Sequence, residues 1–432
     1  ALDVLLSLSN VQTQQYMKDP KACQVYLKRL QWLLDEMGNP EKKLRYIHIA
    51  GTSGKGSTAI MLHEILRSAG YKVGTYTSPY VSSFIERARL NTKCVHPDDV
   101  VNATNVALPG VERAMAYSPH GMPSYFEIVL AMMLWHFAQQ KCDFVILEAG
   151  CGGQYDATNV IPAPLLAIIT TVGLDHTHLL GKTKRVIASR KGGIFKAGST
   201  AIIGETDPSI KNVLVKKARE AAAKKIIRSP KATKIQISSS GTNFTYQGRK
   251  WKTKMIGPHQ AQNARLAIEA ARALRISYST IATGLKKAAL PGRFEIVSNN
   301  PTVILDGAHN HDKIDALIGT LDKLYAGKNW NILVAAGAAD RKADMFDRLF
   351  ARSSRIATTR FTTRPRPAAN PGKLAERAIE IKPEAETGIF AYPTDGLRWI
   401  LKTAEPDDIV VITGSLYLIG DLEKNGILSL KF

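Results

Sequence analysis

The sequence predicts an α/β architecture with mainly parallel sheets, and three observations predict it. Apolar runs of strand length alternate with helix-length amphipathic segments along most of the chain. Several of those runs end in glycine, as in "DFVILEAG" and "LLAIITTVG". The stretch "YIHIAGTSGKGSTAIMLHEILRSAG", Tyr46 to Gly70, places a strand, a glycine-rich turn and a helix in the order that suits a bound phosphate.

Each element follows from its residues. "YIHIAG" is apolar and partly β-branched, and after Lys55 the residues Ile60, Leu62, Ile65, Leu66 and Ala69 recur at helical spacing, with Gly70 placed to end the helix. "DFVILEAG" (Asp143 to Gly150) and "LLAIITTVG" (Leu165 to Gly173) read as buried strands. Between about Lys225 and Met255 the pattern shortens around "SSSGTN" and "YQGRK", which predicts a β-hairpin insert. The helix "QAQNARLAIEAARALR" (Gln260 to Arg275) follows, then a glycine-proline boundary at "LPGRFEIV". A fresh alternation of strands and helices from "TVILDGAHN" to "DDIVVITGSLYLIG" predicts a second, doubly wound domain. The division expected is residues 1–297 and 298–432.

The 432 residues are enough for two or three domains, and 45% apolar with 22% charged residues is ordinary for a globular protein. The apolar runs are too short for a membrane span, and "ALDVLLSLSNVQTQQ" lacks the basic leader of a secretory signal. Cys23, Cys94, Cys142 and Cys151 form neither a C-x-x-C nor a metal spacing, so free thiols in a reducing cytoplasm are expected. A net charge of +21 suits nucleic acid or small polyanions such as nucleoside triphosphates and polycarboxylates. The cations are scattered, with modest clusters such as "RKWKTK" (Arg249 to Lys254) and few interleaved aromatics, which argues against nucleic acid.

The candidate site residues gather at strand ends. Around the turn, Gly51, Thr52, Ser53, Gly54 and Gly56 offer close backbone approach, and Lys55 offers charge for phosphates. Ser57 or Thr58 offers a hydroxyl near a magnesium ion. The spacing departs from the usual nucleotide-loop formula, since Ile49 stands where a glycine is wanted and Gly56 intervenes before Ser57. Ser78 is a metal-ligand candidate or a turn serine. Glu148, ending an apolar strand, needs a metal or a hydrogen-bonding partner. His176 is a ligand candidate or one half of a loop pair with Asp175, and the H-x-H with His178 is too sparse for zinc. Lys191 in "SRKGGIFKAG" reads by default as a surface lysine. Asn263, Arg293, Asp306, His309, Asn310 and Ser415 occupy helix starts, the boundary and strand ends in the second half.

The ordered set "HIAGTSGKGST", "TSPY", "EAGCGGQYDATN", "GLDHTHLLG", "KGGIFKAG", "GPHQAQNA", "PGRFE", "LDGAHN" and "TGSLYL" resembles the folylpolyglutamate synthase/dihydrofolate synthase family of the Mur-ligase superfamily. It spans roughly residues 22 to 420, nearly the whole chain. The resemblance implies a P-loop Mur-ligase-type ATPase domain, a smaller Rossmann-like C-terminal domain, and a folate site near their cleft. By that likeness Lys55 and the turn hold ATP, while Ser78, Glu148 and His176 ligate Mg²⁺, with two ions expected. Lys191 falls on a lysine that becomes carbamylated, and Asn263, Arg293 and Asp306 meet the nucleotide. His309 and Ser415 fall in segments tied to the incoming glutamate and to closure of the site. The activity implied is a cytoplasmic, monomeric ligase joining L-glutamate to dihydropteroate, to reduced folates, or to both, through an acyl phosphate. Three residues depart from the family pattern: Gln154 for an arginine, Arg190 for an acidic residue, and Asp312 for a small one.

Overall fold

The computed structural model describes residues 20–338, 343–362 and 367–426. The N-terminal stretch weighed as a signal sequence lies outside them. The chain forms two compact units, and each is described by itself.

The first unit comprises residues 1–78, 85–233 and 262–288. Its sheet contains β1 (Tyr46–Ala50), β2 (Val73–Tyr76), β3 (Ala88–Leu90), β4 (Lys93–Cys94), β5 (Phe144–Glu148), β6 (Leu166–Ile169), β7 (Thr200–Ile203) and β8 (Lys225–Arg228). Their spatial order is β4-β3-β2-β5-β1-β6-β7-β8. β1 is central and pairs in parallel with both β5 and β6. β1, β5 and β6 are buried along their whole length, as a parallel sheet covered on both faces demands. From β1 the chain runs outward to β2 on one side, while β6 and β7 continue on the other, so the turn after β1 lies where the winding reverses. Such a reversal leaves a crevice at the carboxyl ends of the strands.

That turn leads into α1 (Lys55–Ser68), whose end matches expectation: Gly70 adopts φ 89° and the Tyr71 N–H reaches the Leu66 carbonyl. Further along are α2 (Lys184–Lys191), α3 (Pro258–Ala273) and α4 (Tyr278–Lys287). α4 lies so close to α1 that a Cβ on Gly284 would stand 2.4 Å from Ile65 Cα.

The second unit comprises residues 79–84, 234–261 and 289–432. Its main sheet holds β12 (Glu295–Asn299), β13 (Thr302–Asp306), β14 (Trp330–Val334), β15 (Ser353–Thr358), β16 (Glu386–Ile389) and β17 (Ile409–Thr413), in the order β12-β13-β17-β14-β15-β16. Only β12, an edge strand, is antiparallel. Two apolar layers cover the sheet, one around Phe346, Phe350 and Ile318, the other around Leu397, Leu418 and Ile419. α5 (His311–Leu324) and α6 (Leu416–Lys424) begin at the carboxyl ends of β13 and β17. The α/β class predicted from the alternation is thus the class observed.

The insert departs from the expected hairpin. β8 pairs in parallel with β7 and completes the large sheet, leaving β9 (Thr233–Ser238), β10 (Gly241–Tyr246) and β11 (Arg249–Thr253) as a separate three-stranded sheet in which β10 and β11 run antiparallel. Ile226 and Ile227 supply the apolar residues an added strand needs, while Lys225 and Arg228 keep that sheet edge charged.

Gly284→Ala is expected to destabilise the first unit by about 1–3 kcal/mol, because α1 backbone cannot yield to a new methyl group. A lowered urea midpoint with unchanged slope would register it.

Candidate active site

The glycine-rich turn is fastened before any ligand is considered. The Thr52 N–H donates to the Thr171 carbonyl, and the Thr170 and Thr171 hydroxyls both donate to the Ser53 carbonyl. The Gly173 N–H donates to Thr52 Oγ1. Two glycines are obligatory here. A Cβ on Gly51 would stand 1.8 Å from Thr170 Oγ1, and one on Gly54, at φ 86°, would stand 2.1 Å from Asn263 Oδ1. α1 starts at Gly54 without a side-chain cap, so its first N–H groups point into the crevice, where an anion would be bound. Ser53 Oγ and Thr58 Oγ1 are buried with no hydrogen-bond partner. Anchored backbone, an uncapped helix start and a buried unpaired hydroxyl fit a polyphosphate.

Two lysines converge on this turn. Lys55 Nζ donates to the Gly51 carbonyl at 3.1 Å, and Lys191 Nζ donates to the same oxygen at 2.9 Å. Lys191 is only 3% exposed, which corrects the default reading of a surface lysine. Its helix is short, and the glycine-rich loop packs directly on it: a Cβ on Gly153 would stand 2.7 Å from the Lys191 carbonyl oxygen. Burial, helped by the neighbouring Lys55 charge, pulls the Lys191 ammonium down to about 8, against the opposing pull of Asp175 and Asp156.

Glu148 ends β5 beside the turn, since Ile49 pairs with it in register. It is buried, and its Oε2 accepts the Ser78 N–H at 3.2 Å. The sheet therefore brings Ser78 and Glu148 together. His176 begins a short helix in the left-handed region, at φ 48°, with its ring 3.9 Å from the Asp175 carboxylate. Among the described residues no three His, Cys, Asp or Glu side chains gather into a preformed cage. Mg²⁺ needs no such cage, because it keeps waters and substrate phosphates as ligands, and a hydroxyl with carboxylates suits it.

In the second unit, Asp306 ends β13 in register with Thr413, two residues before Ser415. Its carboxylate accepts the Phe294 N–H (2.9 Å) and the Ala308 N–H (2.8 Å). Burial pushes its pKa up to about 6 against the pull of Arg293 and Lys313. Asn310 caps α5 by accepting the Lys313 N–H, and Ser415 caps α6 by accepting the Tyr417 N–H. Close approach again needs glycine: a Cβ on Gly307 would stand 2.3 Å from Leu416 Cδ2.

The Mur ligase middle domain matches residues 49–271, and the Mur ligase glutamate ligase domain matches residues 292–416. The dihydrofolate synthase/folylpolyglutamate synthase of Bacillus subtilis is 36% identical over 412 residues, 92% of this chain and 94% of that protein. The chain belongs to the dihydrofolate synthase/folylpolyglutamate synthase family. Mycobacterium tuberculosis folylpolyglutamate synthase, solved with ADP and AMPPCP, superposes with a TM-score of 0.86 at 26% identity, covering 98% of this chain and 99% of that one. E. coli FolC in complex with DHPP and ADP gives 0.83 at 26% identity, covering 98% and 97%.

Several residues of this family member make contacts beside these strand ends without having stood out in the sequence. Thr170 and Thr171 fasten the turn, and their only signal was a hydroxyl pair at the end of an apolar strand. Asp156, buried, accepts the Cys151 N–H and the Thr158 N–H and hydroxyl, and so shapes the loop over Lys191. Lys313 was hidden by its place inside a helix start. The two departures near Lys191 touch each other: the Gln154 N–H donates to the Arg190 carbonyl, and the Arg190 guanidinium donates to the Leu179 carbonyl just after His176.

Gly54→Ala is expected to weaken nucleotide binding at least about tenfold, since it displaces Asn263 and strains the turn. Titration calorimetry with ADP checks it. Asp306→Asn leaves one of two backbone N–H groups without an acceptor, so a loss of about 1–3 kcal/mol in thermal unfolding is expected.

Proposed function

We propose that this protein is an ATP-dependent amide ligase that joins L-glutamate to dihydropteroate, to reduced folates, or to both, through an acyl phosphate. The observation that carries the reading is the pair of lysine ammonium groups, Lys55 and Lys191, on the single Gly51 carbonyl of an anchored phosphate turn. Family membership supplies the acceptor class.

In this reading the acceptor's carboxylate oxygen attacks the γ-phosphorus of ATP, and ADP leaves. The amine of L-glutamate then attacks the acyl carbon; phosphate and a proton depart, and the amide remains. Gly51, Thr52, Ser53, Gly54, Lys55, Gly56, Ser57 and Thr58 hold the phosphates, with Asn263 against the turn. In the second unit, Arg293 and Asp306 serve the nucleotide, and His309 and Ser415 serve the amine-addition step. Alignment and charge neutralisation supply most of the acceleration in phosphoryl transfer, so a rigid turn is the chief device. Ser78, Glu148, His176 and a carbamylated Lys191 are the proposed holders of Mg²⁺, two ions in all, which when bound would offset phosphate charge.

Carbamylation consumes a neutral amine and CO₂, giving a carbamate and a proton. With an amine pKa near 8, about a tenth of Lys191 is neutral at pH 7, against less than about a thousandth for an ordinary lysine. The modification also replaces one of two crowded cations by an anion. Free thiols, a monomer in the cytoplasm and no nucleic-acid partner complete the proposal.

The deciding assay supplies MgATP and L-glutamate with either dihydropteroate or tetrahydrofolate, following phosphate release and product mass. Turnover with tetrahydrofolate alone would narrow the reading to a folylpolyglutamate synthase. No glutamate-dependent turnover with either acceptor would overturn it. Lys191→Ala is expected to lower turnover at least about a hundredfold, with partial rescue by small carboxylates. Incorporation of ¹³C-bicarbonate should rise with pH through about 8 in the ligand-free protein, because only the neutral amine reacts. Near-normal activity of that variant would remove the carbamate.

A further inference from the structure

His48 sits fully buried in the middle of β1, paired with Leu147 of β5 and Ala167 of β6, an unusual place for an imidazole. Its Nε2 lies 2.8 Å from Thr158 Oγ1, 110 residues further along the chain. Thr158 in turn donates its one hydroxyl proton to Asp156 Oδ1. Asp156 also accepts the Thr158 N–H on Oδ1 and the Cys151 N–H on Oδ2, so donors meet both of its oxygens. With the hydroxyl proton committed there, Thr158 Oγ1 can only accept from the imidazole, and His48 carries its proton on Nε2. Burial and the charge of Lys196 pull the pKa of the ring down to about 3, so it stays neutral. Its Nδ1 is then a lone pair buried without a hydrogen-bond partner. A sheet interior seldom keeps such an orphaned acceptor, because an apolar side chain of similar size would fit without that cost. What the ring does hold is a loop. Asp156 and Thr158 close the segment from Cys151 to Thr158, and that segment packs on Lys191. The Gln154 N–H donates to the Arg190 carbonyl, and Gly153 has no room for a Cβ against the Lys191 carbonyl.

We propose that His48 is a positioning residue for the ligase reaction: through Thr158 it fixes Asp156, and through Asp156 the loop against which Lys191 is held. The proposal rests on the ligase reading above, in which Lys191 helps to hold Mg²⁺. Groups that orient a metal's ligands from behind change metal affinity or activity about ten- to a hundredfold when they are replaced. The ring is kept for the loop at a cost in stability, so the two properties should separate on substitution.

Leucine fills the space of the ring without its polar atoms, and a glutamine amide can still donate to Thr158. His48→Leu should leave the thermal midpoint unchanged or raised. Its kcat should fall about tenfold, and the Mg²⁺ concentration for half-maximal rate should rise several-fold. His48→Gln should recover most of that loss. Amide exchange of the segment from Cys151 to Thr158 should quicken in His48→Leu and much less in His48→Gln. Thr158→Val should lose about as much activity as His48→Leu, and the double variant no more than either, because both cut the same chain of bonds. ¹⁵N spectra of the unsubstituted protein should show His48 protonated on Nε2. An Nδ1–H ring would overturn the proposal. So would a His48→Leu variant whose kcat and segment exchange stay within about twofold of the unsubstituted protein. A His48→Leu chain that does not fold, or losses that multiply in the double variant, would make the ring a packing group and overturn it too. Absence of any glutamate-dependent turnover in the unsubstituted protein would instead overturn the ligase reading. The spectra, thermal midpoints and exchange would then still decide whether His48 holds the loop.

Discussion

Two ammonium groups share one carbonyl oxygen at the head of the phosphate turn, and much of the first unit is arranged around that constraint. With Nζ–O distances of 3.1 and 2.9 Å, the two nitrogens are at most about 6 Å apart. At an effective dielectric constant of about 20 their repulsion is at least about 3 kcal/mol. Burial of Lys191 adds a desolvation cost to that repulsion, and its lowered pKa expresses both. An anion between the two lysines, or loss of charge from one, relieves the repulsion. The same crowding thus favours an anion at the turn and raises the neutral fraction of Lys191 above that of an ordinary lysine.

Holding this arrangement requires a stiff frame, which the sheet supplies. β1 at the centre cannot shift without disturbing β5 and β6, and those two strands carry Glu148 on one side and the Thr170–Thr171 clamp on the other. The glycines are placed where neighbours press closest: Thr170 on Gly51, Asn263 on Gly54, the Lys191 backbone on Gly153. Their role is contact rather than flexibility, because a side chain at each would be driven into an atom that is itself held. The turn, whose spacing departs from the usual nucleotide-loop formula, is braced from outside by the threonines following β6.

The parts of this structure that are legible in the sequence are those written as local pattern. β1, the turn and α1 are readable from apolar runs, glycine spacing and helical periodicity, and Glu148 stands out because an acid at the end of "FVIL" demands a partner. Lys191 is not legible from spacing, since nothing local distinguishes a buried lysine from an exposed one; only the ordered motif set points to it. β8 reads as part of a hairpin because its partner, β7, is more than twenty residues earlier in the chain. Thr170 depends on a contact with Ser53 that exists only once strands far apart in sequence have paired. Asp156 and Lys313 make contacts local in sequence, but nothing in residue type or spacing marks those loop geometries in advance.

The second unit uses the same logic with different groups. Asp306 occupies on β13 the place that Glu148 occupies on β5: an acid at the last residue of a buried parallel strand. Glu148 accepts a backbone N–H from the segment after β2, whereas Asp306 accepts one from Phe294, just before β12, and one from Ala308, just after β13. Asp306 thus ties the start of β12 to the loop after its own strand, and burial raises its pKa. Asp306 is therefore better placed to shape the loop bearing His309 than to act as a proton acceptor. The cations acting on it, Arg293 and Lys313, oppose the effect of that burial.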